Sequence, residues 1–107
     1  MMPQAIGVIE TCGMPNALVI ADTMSKAADV EILGFENTAV GRISILIRGA
    51  TGAVQAAIAA AMSQPWAYPG LLGHHILPCP DEAVDIATLI RHNQRAWRPD
   101  EVEWLDE

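Results

Sequence analysis

Aromatic residues are scarce in this 107-residue chain: one Phe, one Tyr and three Trp make up 5% of it. A core must therefore be assembled from Ile, Val, Leu, Met and Ala, and a hydrophobic content of 51% supplies them in ample measure. Such compact side chains suit tight packing of helix on sheet and of subunit on subunit. Positive charge is also in short supply. Six Lys and Arg stand against thirteen Asp and Glu, a net charge of −7, and a surface of that sign repels phosphate, so nucleic acid is excluded as a partner. Every apolar stretch is broken by charge or glycine before the ~18 residues that a membrane-spanning helix needs. The first residues carry Glu10 and no basic start, so neither a membrane nor a secretory route is expected. Only two cysteines are present, Cys12 and Cys79, which fits a reducing cytosol.

Residue types that carry chemistry do not converge on a known arrangement. Cys12, His74, His75 and Cys79 match no zinc-ligand spacing. The two cysteines close antiparallel neighbouring strands at opposite ends, and a bridge needs Cα atoms within about 7 Å. His75 reads as a structural histidine on a strand. Gly49-Ala50-Thr51-Gly52 opens a helix and so offers N–H groups to an anion. It lacks the Lys of a phosphate-binding loop and the glycine spacing of a dinucleotide site, and reads as a structural turn. No Ser–His–Asp set, carboxylate pair or Cys–His dyad emerges. No enzyme, cofactor or metal is expected.

What is present is a repeated β–α–β plan. Ala5–Thr11 is short and β-rich and reads as a strand. Met14-Pro15 starts a helix, with Pro in the first turn, where its missing N–H is harmless. Leu18, Ala21, Met24 and Ala28 follow at helical spacing and predict its apolar face. Val30–Phe35 is a second strand. Glu36 to Arg42 reads as a polar bend, and Ile43, Ile45 and Ile47 alternate with Ser44, Leu46 and Arg48 in a third strand. A second helix buries Val54, Ala57, Ile58 and Ala61 and stops before Pro65. Leu71–Leu77 is a fourth strand, ended by Pro78-Cys79-Pro80 because Pro cannot donate to a ladder. A last helix opens at Asp81-Glu82 and closes near Arg95, acids first and bases last, as the helix dipole favours. The expected class is α+β: a ferredoxin-like, four-stranded antiparallel sheet with two main helices on one face plus a C-terminal helix. One domain spans 4–95, followed by an acidic tail over 96–107.

The run from 5 to 80 is similar, without a gap, to the hexamer-forming, single-domain shell proteins of bacterial microcompartments. Five segments carry the resemblance: Ala5–Thr11, Asp22-Thr23-Met24-Ser25-Lys26-Ala27, the 36–42 bend, Ile43–Gly49 and the Gly52–Ala57 helix. It implies a structural protein that forms a cyclic homohexameric tile with a central pore for small metabolites. Its partners are then further copies, neighbouring shell proteins and, as additional candidates, encapsulated enzymes, in a cytoplasmic microcompartment shell.

The resemblance also assigns residues. Lys26 falls at the tile edge, where lysines of adjoining hexamers lie side by side and reach backbone carbonyls across the boundary. Asp29 stands where the family usually has Asn, and Cys79 where it usually has Arg. A thiol cannot replace the five-donor fork of that arginine, so the edge is expected to be weaker or to meet a different tile. Asn37, Thr38, Ala39, Val40 and Gly41 form the pore loop, with neutral Asn37 where Lys is common and Val40 near the constriction. A ring of valines disfavours water and ions. Arg48 is assigned to subunit contacts. Trp66 and Tyr68 lie on a proline-bracketed loop where the chain departs from the family, and read either as packing for the helix end or as a contact surface. The subunit plan also allows a different class of function, a small ferredoxin-like oligomer that binds a metabolite and regulates a partner. A carrier using the cysteines for metal or redox chemistry is a third.

Overall fold

A computed structural model of the chain describes residues 4–64, 71–81 and 84. The elements run in order β1 (Ala5–Cys12), α1 (Met14–Ala27), β2 (Glu31–Ala39), β3 (Arg42–Gly49), α2 (Thr51–Met62) and β4 (Leu71–Leu77). The four strands form one antiparallel sheet in the order β2-β3-β1-β4. Two β–α–β units therefore interleave, each helix carrying the chain past one intervening strand. The expected architecture is borne out in element order, strand number and direction. The expected last helix, apart from Asp81 and Val84, the Trp66/Tyr68 loop, the tail and the boundary after residue 95 lie outside the described residues.

Register explains which side chains enter the core. Ile9 pairs with Ile45 and Gly7 with Ile47, so the odd-numbered residues of β1 and β3 share the face on which both helices lie. There Ala5, Ile9, Ile43, Ile45 and Ile47 meet Ala17, Ile20, Ala21 and Met24 of α1 and Val54, Ala57, Ile58 and Ala61 of α2. The four-residue stripe expected for α2 is the one that is buried. On α1 the buried face is Ala17, Ile20, Ala21 and Met24, while Leu18 is 55% exposed. Leu18 was expected inside. The helix is apolar around much of its girth, and the face that packs into the core is the one carrying Ala17, Ile20, Ala21 and Met24.

Gly7 marks the closest approach of α2 to the sheet. A Cβ there would lie 2.7 Å from Val54 Cγ1 and 3.0 Å from Ile47 Cγ1 and Ile58 Cδ1. Each fully buried Ile or Val in this layer contributes roughly 1.5–3 kcal/mol of transfer free energy. The second sheet face carries the even-numbered residues of β1 and β3. On it Ile6, Ser44 and Leu46 are buried, while Cys12 and Arg42 are exposed.

Strand two is longer than its apolar pattern suggests. It continues from Phe35 through Glu36, Asn37 and Thr38 to Ala39, pairing Glu36 with Ser44, Asn37 with Ile43 and Ala39 with Arg42. The polar bend thus shrinks to a two-residue turn, Val40-Gly41, with φ of 52° and 79°. Both central residues left-handed is the signature of a type I′ hairpin, whose twist matches that of the strands.

Candidate functional site

The register sorts the candidate residues into two groups at opposite ends of the sheet. At one end β1 stops at Cys12 opposite Arg42, the first residue of β3. Here the hairpin of Asn37, Thr38, Ala39, Val40 and Gly41 projects from the sheet. Its tip is tied down. The Gly13 N–H donates to the Gly41 carbonyl at 2.8 Å, and the Thr38 hydroxyl donates to the Arg42 carbonyl at 3.3 Å. Val40 is 96% exposed and stands in a left-handed conformation that β-branched residues rarely adopt. Asn37 and Thr38 are exposed as well. Arg42 is exposed on the sheet face away from α1 and α2, by alternation from buried Ile43.

The other end gathers Lys26, Asp29 and Cys79. Helix α1 runs back along the sheet and ends at Ala27. The Asp29 carbonyl then packs against Gly49, the last residue of β3, and Gly49 is paired with Ala5. On the far edge β4 ends with Leu77 opposite Ile6, so the exposed Cys79 emerges at this same end. An eight-residue strand separates the two groups, a distance of roughly 25 Å. Residue spacing does not group Lys26 with Cys79, fifty-three positions away; the family resemblance assigned both to one edge, and antiparallel pairing brings them to one end of the sheet.

Electrostatics at this end includes two ion pairs among the described residues. Lys26 Nζ lies 2.8 Å from Asp22 Oδ2, one helical turn back, with the two side chains 76% and 60% exposed. Asp22 was not singled out from the sequence, although the i,i+4 spacing was there to find. Arg48 donates to Glu31 at 3.0 Å on its own sheet, so part of its donor set is satisfied within the subunit. His75, expected as a satisfied structural histidine, is exposed opposite Val8.

Cys12 and Cys79 are free thiols at opposite ends of the sheet. Among the described residues no three His, Cys, Asp or Glu side chains are grouped to hold a metal ion. No described helix is long and apolar enough to cross a membrane. The features that stand out are surfaces: an apolar hairpin tip and a charged, thiol-bearing edge.

Residues 5–80 match the family model of the BMC domain. The chain belongs to the BMC domain family. This bears out the resemblance drawn from the sequence. The chain is 37% identical over 95 residues to carboxysome shell protein CcmK2 of Synechococcus elongatus, covering 87% of this chain and 93% of that one. It is 42% identical over 84 residues to carboxysome shell protein CsoS1 of Prochlorococcus marinus, covering 78% and 82% respectively. Among solved structures, a microcompartment protein from Desulfitobacterium hafniense superposes with a TM-score of 0.67 at 30% identity. That alignment covers 75% of this BMC domain chain and 43% of the other, so this chain spans less than half the length of the solved one.

Proposed function

We propose that this chain is a structural, non-enzymatic shell protein of a bacterial microcompartment within the cytoplasm. Six copies close into a cyclic tile, with the 37–41 hairpins converging on the axis and Lys26, Asp29 and Cys79 at the outer edge. The observation that supports this reading is that the 37–41 hairpin lies at one end of the sheet and Lys26, Asp29 and Cys79 at the other. A wedge with one end on an axis and the other on a boundary is what a closed ring of heterologous contacts requires. Its neighbours in the shell are further copies and related tiles, with enclosed enzymes as additional partners.

On the axis, each hairpin residue becomes a ring. Asn37 adds no charge, and Val40 places branched methyl groups at the neck. An apolar constriction dewets readily. Six copies at −7 each carry −42, which discourages anions beyond what screening over ~8 Å removes in physiological salt. The pore therefore passes small neutral molecules slowly and ions less well. Light scattering of the purified protein tests the tile, with electron microscopy to image it. A mass of six chains and hexagonal particles are expected; a monomer or a stable dimer rejects the proposal and favours a regulatory oligomer of another kind.

A further inference from the structure

The ion pair at the end of α1 has a use that subunit stability does not explain. Lys26 sits in the last turn of the helix, where a cation also meets the negative end of the dipole. Its ammonium is 2.8 Å from the Asp22 carboxylate, yet both side chains stay largely in solvent. Exposed pairs of this kind add little to a fold. What the pair does alter is the direction and the net charge of an otherwise free lysine.

Both matter at a boundary between identical tiles. Across a two-fold axis residue i meets j while j meets i, and a residue close to the axis faces its own copy; on the edge reading Lys26 is such a residue, and Lys26 of one tile approaches Lys26 of the next. Two unscreened ammonium groups at close range repel strongly once water is excluded. A carboxylate already bound to each one removes that repulsion before the tiles meet. An ammonium has three N–H donors; Asp22 takes one and leaves two for acceptors across the boundary.

We infer that Asp22 is a positioning residue of the tile edge, which holds Lys26 extended and cancels its charge so that two copies can lie side by side. The inference rests on the reading of Lys26 as an edge residue. It makes a prediction opposite in sign to that of bulk charge. Each six-chain tile carries −42, so removing six carboxylates should ease association if only net charge counts.

The test uses the full-length protein, with sheets pelleted and imaged by electron microscopy over a range of protein and salt concentrations. Asp22→Asn should raise the protein concentration needed for sheets about tenfold at low salt, equivalent to a tenfold loss of contact affinity. Salt at about 0.5 M should recover part of the loss by screening the lysines. Asp22→Glu should restore tiling, since a glutamate at i,i+4 still reaches Lys26. The particle mass should be unchanged in all three proteins; loss of particle mass or of thermal stability without a salt-reversible tiling defect would mean a merely helix-stabilising role and overturn the inference. If Lys26→Ala abolishes sheets while Asp22→Asn tiles as readily as the parent, the positioning role is wrong and the edge assignment stands. If Lys26→Ala tiles normally, both fall together.

Discussion

Replacing Val40 by Asn should stabilise the protein, although it deletes a hydrophobic side chain. Val40 is held at φ 52° in the type I′ turn and its side chain is 96% exposed. For an L-residue the left-handed region costs roughly 1–2 kcal/mol, and β-branching adds crowding. Asparagine tolerates this conformation and is favoured ahead of glycine in such hairpins. With almost no burial to lose, the substitution recovers most of the strain, about 1 kcal/mol. Val40→Gly should gain less, since the added freedom of the unfolded chain offsets roughly 0.5–1 kcal/mol. Val40→Thr retains the β-branch and should gain nothing. Urea unfolding at one fixed protein concentration reads these differences as midpoint shifts at constant m. A melting shift of about 4 °C accompanies 1 kcal/mol for a domain of this size. If Asn and Thr both destabilise, the valine methyls are buried against other copies on the axis and the strain argument fails. If Asn is neutral while Thr is neutral, the turn is not left-handed in solution. A stabilising Asn would mean that the native valine is kept at the tip against its own backbone preference.

Three further outcomes follow from the packing and the edge. Gly7→Ala should destabilise by about 1–3 kcal/mol, because its Cβ would lie 2.7 Å from Val54 Cγ1 and short branched side chains cannot swing clear; chemical denaturation checks it, and an unchanged midpoint would show that α2 sits further from β1. Ile20→Ala, at a fully buried position facing the sheet, should cost roughly 2–5 kcal/mol by cavity formation, read by the same assay. Cys79→Arg should promote sheets or tubes seen by electron microscopy, because the exposed end of β4 regains a planar donor fork; no change in assembly would move the boundary away from this residue.

The sequence by itself determined the order of elements, the period of each and the limits of several. Alternation in Ile43–Ile47 named a strand, Pro15 and Pro65 bracketed the helices, and the α2 stripe was legible because small and large apolar residues repeat there at helical spacing with polar Gln55 between. These are local effects of backbone sterics and side-chain period, so a local reading reaches them. Three matters were decided only by tertiary structure. The Glu36–Ala39 segment is polar or small, and it is strand because β3 offers it a ladder of hydrogen bonds, not because its side chains ask for one. Leu18 is the more apolar neighbour of Ala17, yet packing of α1 into the shared core turned Ala17 inward and left Leu18 exposed. Lys26, Asp29 and Cys79 share an end because antiparallel register folds distant positions onto one boundary, and the same register sends the Val40 tip to the opposite end. Period is encoded along the chain. Phase and proximity arise between elements, where the alternatives differ in burial that no single segment contains.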